Sequence, residues 1–323
     1  MQSERIWCKY YAMHSKVEFV IMFPKMILIT GGTGFIGKAL TNHLVRTGRQ
    51  VRTLLKPGSI SPKLPQGVSV EAAICSLFDE KGIRAAMKDV DIVFHLAGTE
   101  RQGSKSDLTG VDIAGVRILA NVASDNRVKK FFFLSHLGAD RASAFPVLKA
   151  KAITEQIIKD SGVNYTIYRT AVVFGENDQF STSILKLLRR SPRIFLMPGN
   201  GSSLVQPIYI DDLIAVLLWS LEEKQPRNSI FSIGGIEHIS FSEVVAMIMN
   251  TVEIRRFIVS LSPAYLRILA VWFEHNSKNF PISSYWLDYL ASDRTCALDS
   301  IPRLTGIMPA RFSQNIEFLK KVV

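Results

Sequence analysis

The sequence predicts an α/β fold, a doubly wound parallel sheet with a smaller, interleaved and mostly helical C-terminal part. Three observations carry this. A strand, a glycine turn and a helix follow one another over 26–48. Short aliphatic runs then alternate with segments of helical period as far as Gly175, which is the signature of parallel strands joined by crossover helices. Past Gly175 the alternation loosens, and one β-branched run near 228–233 reads as a strand returning to the sheet. The expected organisation is an extension over 1–25, a dinucleotide-binding part over 26–175 and a substrate or partner part over 176–323.

The first unit is the most informative. Met26-Ile-Leu-Ile-Thr30 is a short apolar run suited to a buried parallel strand. Gly31-Gly32-Thr33-Gly34-Phe35-Ile36-Gly37 follows, and then Lys38–Gly48 places Leu40, Leu44 and Val45 on one helical face. Gly31 suits the tight turn, Gly34 the approach of backbone to phosphate, and Gly37 close packing of helix on strand. Free N–H groups and the positive dipole end at the helix start face an anion. The pattern is that of a Rossmann-type pyrophosphate site.

The next elements follow in order. Gln50–Lys56 reads as a second strand. A carboxylate near its end would select the ribose 2′-hydroxyl of NAD; this strand offers Arg52 and Lys56, which suit a 2′-phosphate. NADP(H) is therefore favoured, with NAD(H) the alternative. Val68–Ile74 reads as a strand, Asp79–Met87 as a helix, and Asp91–Gly98 as a strand running into the small turn Leu96-Ala97-Gly98, where a ribose and adenine can sit close. His95 reads as a packed residue. Val111–Asn121 is the next crossover helix, and Lys129–Ser135 a strand whose terminal hydroxyl, Ser135, faces the nicotinamide side of the crevice. Ala142–Ser161 is loop and helix, and Asn164–Phe174 a sixth strand.

In the C-terminal part, Thr182–Leu188, Leu213–Leu221, Ser262–Phe273, Ser284–Ala291 and Ala310–Leu319 are expected helices, and Ser240–Glu243 resembles a capping box. Tyr265, Trp272, Phe273, Phe280, Tyr285, Trp286 and Tyr289 either line a pocket and its core or form a docking surface for a membrane or partner.

Bulk properties narrow the function classes. A net charge of +11 favours anionic partners, but no dense Lys/Arg stripe interleaved with aromatics supports nucleic-acid binding. The three cysteines, Cys8, Cys75 and Cys296, form no pair motif and fit a reducing, cytoplasmic setting. The six histidines show no ligand spacing, so no metal site is expected. Ile214–Leu221 and Tyr265–Phe273 are too short to span a bilayer, and Val17–Phe23 makes a poor signal peptide.

The motifs TGGTGFIG, HLAG, SHLGAD, KAKAITEQII, VNYTIYRTAVVFGEND and QPIYIDDL together resemble the extended and atypical short-chain dehydrogenase/reductases of NAD-dependent epimerase/dehydratase type. Within that superfamily the chain is most similar to the group of the nucleotide-binding accessory subunit of respiratory complex I and its bacterial relatives. The resemblance implies a cofactor site at Gly31, Thr33, Gly34, Phe35, Ile36 and Gly37, with Leu77 (or Ser76), Leu96, Ala97, Gly98 and Ser135 as further contacts and Val172, Val173 and Phe174 near the nicotinamide.

The superfamily's catalytic pair is Tyr-x-x-x-Lys, preceded by a Ser or Thr one strand earlier. The lysine lowers the phenol's pKa so that it can pass a proton as hydride moves. Two frames exist here: Phe145 with Lys149, and Val147 with Lys151, the latter followed by Glu155. Neither frame holds a tyrosine. Ser135, Lys149 and Lys151 are the catalytic candidates that remain. Two functions stay open: an NAD(P)-dependent oxidoreductase or epimerase on a small substrate with a non-standard site, or a non-catalytic nucleotide-binding structural or assembly factor, peripheral to a membrane or complex.

Overall fold

The computed structural model describes residues 26–58, 69–191, 193–222, 227–277, 281 and 283–322. The expectations for the extension over 1–25, for most of the loop after Gly58 and for Phe280 fall outside them.

The first half alternates strand and helix. Its strands are β1 (Ile27–Thr30), β2 (Val51–Leu55), β3 (Glu71–Ile74), β4 (Ile92–His95), β5 (Lys130–His136) and β6 (Tyr165–Thr170). Its helices are α1 (Phe35–Arg46), α2 (Glu80–Ala86), α3 (Val116–Asp125) and α4 (Pro146–Asp160). The second half contributes β7 (Val173–Phe174), α5 (Ser181–Arg190), β8 (Ile194–Pro198), β9 (Leu204–Val205), β10 (Ile208–Tyr209), α6 (Ile210–Glu222), β11 (Ser229–Ile233), β12 (Ile239–Ser240), α7 (Phe241–Thr251), β13 (Phe257–Leu261), α8 (Pro263–Asn276), α9 (Ser284–Tyr289) and α10 (Ser300–Thr305).

Seven strands form one sheet in the order β11-β6-β5-β4-β1-β2-β3, and every pairing in it is parallel. The chain reverses direction across the sheet between β1 and β4, which opens a crevice beyond their carboxyl ends. The central strands have alternating residues committed to two different cores. On β5, Phe131 and Phe133 pack with Leu119, Ala123 and Ile158 of α3 and α4, while Phe132 packs with Leu40, Leu213 and Leu217 of α1 and α6. Burial on both faces is why these strands read as continuous apolar runs. β3, at the sheet edge, is mostly exposed instead.

The C-terminal part has its own core, built on Phe180, Leu188, Phe195, Val244, Ile248, Trp286 and Phe312. The returning strand is β11, paired with β6. Ser240 and Glu243 form the expected capping box at the start of α7. β8 and β13, a parallel pair, were not expected from the sequence. One expectation needs correction: of Ala310–Leu319 only the end is helical, in the short 3₁₀ segment Glu317–Lys321. The Ala310 N–H donates to Asp212 and the Phe312 N–H to Glu237, so neither bonds a carbonyl one turn back, and Phe312 is drawn fully into the core. Among the described residues no helix is long and apolar enough to cross a membrane.

Candidate active site

The glycine turn sits at the mouth of β1. Gly31 has φ +76°, and a Cβ there would lie 2.7 Å from the Ala97 nitrogen of the turn after β4. At Gly37 a Cβ would lie 2.2 Å from the Gly31 carbonyl oxygen, so α1 touches the turn backbone directly. Gly34 caps α1 without a side-chain hydrogen bond, and no acidic residue stands in the helix's first turn. The first amides are thus left to an anion from outside. In front of this turn lies a cleft of about 1010 Å³, lined by Gly31, Gly34, Gly98, His136, Lys151 and Tyr289 among others. A smaller recess of about 340 Å³ continues past Ala97 to Lys56, Ser76, Leu77 and Phe78. No Asp or Glu lines that recess among the described residues.

At the other end of the cleft is a buried charged cluster. Lys151, on α4, has only 7% of its side chain exposed and holds its ammonium 3.7 Å from Glu100 and 4.0 Å from Asp112. Glu100 also lies 3.6 Å from His136 Nε2. The widened helical turn Leu108–Gly115 carries Asp112 inward, where it accepts the Thr99 N–H and hydroxyl. Burial opposes ionisation of Glu100, but Lys151, with His136 and Arg101, outweighs it and holds the carboxyl well below the usual range. Asp112 is pushed up to about 6 by burial, against the pull of Lys151. Burial also lowers His136. The buried nitrogens of His136 and Oε2 of Glu100 have no hydrogen-bond partner among the described residues. A folded chain rarely leaves such groups unsatisfied unless a ligand or water completes them. The Tyr285 ring stands 6.1 Å from His136, and burial drives the Tyr285 and Tyr289 phenols upward.

Sequence comparison places this architecture. The model of an NAD(P)H-binding family matches residues 31–186, and that of the NAD dependent epimerase/dehydratase family matches 146–234. The two models are of NAD(P)-binding and epimerase/dehydratase type, and together they span residues 31–234 of this chain. It is 23% identical to the mitochondrial NADH dehydrogenase [ubiquinone] 1 alpha subcomplex subunit 9 of Dictyostelium discoideum, over 84% of this chain and 77% of that one. Identity to the photosystem II assembly factor Ycf39 of Cyanophora paradoxa is 24%, over 68% and 67%. A ceramide reductase of Caulobacter vibrioides is also 24% identical, over 60% of each chain. The chain spans only 57% of the Arabidopsis thaliana counterpart of the first relative. Among solved structures, a nucleoside-diphosphate-sugar epimerase from Staphylococcus aureus aligns with a TM-score of 0.72 at 16% identity, over 91% of this chain and 99% of that one. MoeE5 in complex with UDP-glucuronic acid and NAD aligns at 0.69 and 17%, over 90% and 95%. Both likenesses describe the fold.

Of the residues expected to meet a cofactor, Thr33, Gly34, Phe35, Ile36, Gly37, Leu96, Ala97, Gly98 and Val173 all line the large cleft, and Lys56 and Leu77 line the recess. Three sequence expectations are corrected. Arg52 faces away from the recess, because it lies early in β2 beside Leu28 and is held by Glu71 and by the Ala86 and Lys88 carbonyls. Lys149 is exposed on α4, whereas Lys151 lines the cleft and Val147 packs against the C-terminal core. Phe174 is fully buried against Phe312. Ser135 lines the large cleft as expected, and its hydroxyl donates to Glu155, which is paired in turn with Arg169. His95 is a packed residue, bonded to Thr30 at 2.7 Å. The aromatics divide: Tyr265 and Trp272 are exposed, whereas Tyr285, Trp286 and Tyr289 are buried. Glu100, Asp112 and His136 were not singled out as site residues, and Tyr285, one of the aromatics expected at a pocket or docking surface, does line the cleft. Only His136, next to Ser135 at a strand end, carried a local signal.

Proposed function

We propose that this chain is an NADP(H)-preferring oxidoreductase of epimerase/dehydratase type, acting on a hydroxyl or carbonyl group of a small molecule. The carrying observation is the single cleft that joins the glycine turn to the Lys151–Glu100–His136 cluster. The glycine turn and the start of α1 would hold the pyrophosphate, Leu96–Gly98 and Leu77 the adenosine half, and Lys151 the nicotinamide ribose. When bound, the nicotinamide supplies or accepts a hydride. Lys56, in a recess that no carboxylate lines among the described residues, supports the preference for a 2′-phosphate.

A second reading, a nucleotide-binding structural or assembly factor, is supported by Val147 at the tyrosine position. It is also supported by an apolar surface on α8 and β13, where Phe257, Ile258, Tyr265, Ile268 and Trp272 are exposed. Such a surface fits a membrane or a larger protein assembly, the setting named for two of the relatives.

The test has two stages. NADPH and NADH are titrated by fluorescence and by thermal shift. The wild type and Lys151→Met are then assayed with a panel of keto-lipids and sugar nucleotides. The reading expects tighter binding of NADPH and turnover that depends on Lys151. Binding without turnover leaves the second reading, and absence of binding removes both.

A further inference from the structure

We propose that His136, positioned by Glu100, is the proton acceptor and donor of the cleft, taking the role that Val147 cannot perform. The inference rests on the reading that the cleft holds a nicotinamide dinucleotide beside a hydroxyl or carbonyl substrate. His136 ends β5 and lines the cleft at the same strand end where the superfamily carries its hydroxyl residue. Its neighbours come from three elements: Glu100 and Arg101 from the short helical segment Glu100–Lys105, Lys151 from α4 and Tyr285 from α9.

The other polar groups around it are committed. The Ser135 hydroxyl donates to Glu155. Asp112 accepts twice from Thr99. The Lys151 ammonium stands between two carboxylates. Both His136 nitrogens are buried without a hydrogen bond. An N–H on Nε2 would face Glu100 Oε1, and that tautomer leaves the Nδ1 lone pair to accept a proton. This is the division of labour of a carboxylate-oriented histidine base. Burial keeps the ring neutral near pH 7, and the ionised Glu100 offsets the charge once the ring is protonated.

The balanced step is the oxidation of a substrate alcohol. The O–H proton passes to the imidazole, the C–H bond leaves with its electron pair as hydride to an oxidised nicotinamide dinucleotide, and C=O forms. In the reverse direction the imidazolium returns the proton to the carbonyl oxygen as hydride returns to carbon.

The test uses the full chain and the variants H136Q and E100Q, with readouts that separate binding from proton transfer. NADPH affinity should stay within about threefold of wild type in both. In a histidine C–H NMR titration, the signal lost in H136Q should titrate in the wild type, and E100Q should move its midpoint lower, because the carboxylate that favours imidazolium is gone. On any panel substrate, kcat should fall about 10²–10⁴-fold in H136Q, and the ascending limb of the pH profile should shift to lower pH in E100Q. Unchanged kcat in H136Q overturns the proposal. So does a His136 signal insensitive to E100Q, or a wild type that binds NADPH and turns over nothing in the panel. A wild type that binds no dinucleotide overturns instead the reading beneath it.

Discussion

The contact between α1 and the glycine turn gives the sharpest prediction. In Gly37→Ala the new Cβ would stand 2.2 Å from the Gly31 oxygen, 2.7 Å from the Gly32 Cα and 2.8 Å from the Gly31 carbonyl carbon. All three are backbone atoms of the turn, so no side chain can swing aside. Relief requires the helix start to retreat by about 1 Å, the gap between this distance and an ordinary contact. Alanine is intrinsically the better helix residue by up to ~1 kcal/mol, but overpacking of this kind costs about 1–3 kcal/mol. The melting temperature should therefore fall by several degrees at most. The larger effect falls on dinucleotide affinity, because the amides that meet the anion move with the helix. A tenfold or greater rise in Kd, about 1.4 kcal/mol, is expected by fluorescence titration with NADPH. Gly48→Ala is the control. Nothing lies within 4 Å of its Cβ, but its φ is +75°. It should lose about 1–2 kcal/mol of stability through backbone strain alone and keep its affinity. A Gly37→Ala protein that binds NADPH within twofold of wild type would refute the assignment of this turn as the phosphate site.

Three further outcomes follow from the geometry. Lys151→Met should destabilise the fold by about 3–5 kcal/mol in chemical denaturation, because Glu100 and Asp112 lose their buried counter-charge, whereas exposed Lys149→Met should stay within about 0.5 kcal/mol. Arg52→Gln should leave the ratio of NADPH to NADH affinity unchanged, since the guanidinium is bound to Glu71 and two carbonyls, while Lys56→Gln should lower it severalfold. Asp112 is raised by burial from 3.8 to about 6, so between those values the native state binds more protons than the unfolded one, and its contribution to stability declines as pH rises. The wild-type minus Asp112→Asn difference in unfolding free energy should show that decline over this window and be flat above it; a difference independent of pH would contradict the assignment.

The fold was legible because it depends on local pattern. The apolar run at Ile27–Ile29, the glycines at 31, 34 and 37 and the periodic face of α1 each satisfy a rule that acts within a few residues. The strand–helix alternation fixed the parallel sheet, and Ser240 with Glu243 announced α7. Some elements held by distant partners were not legible, although the returning strand β11 was. β8 and β13 pair across some sixty residues. The segment after Ala310 looked helical until Asp212 and Glu237 took its backbone donors.

The candidate site divides along the same line. By itself, the sequence pointed to an NAD(P)-binding domain, marked the glycine turn as its phosphate-site candidate, and showed no tyrosine in either candidate frame of the usual catalytic pair. Only the tertiary structure left Lys149 exposed and brought Lys151 into the cleft, turned Arg52 away from the recess, engaged the Ser135 hydroxyl, and set Glu100 and Asp112 against Lys151, with His136 beside Glu100 and Tyr285 beside His136. A phosphate cradle is made by consecutive backbone amides, so its signature is contiguous. A proton-transfer site needs side chains of opposite charge held together out of water, and here they come from four elements that meet only when the sheet, α4 and α9 close upon one another.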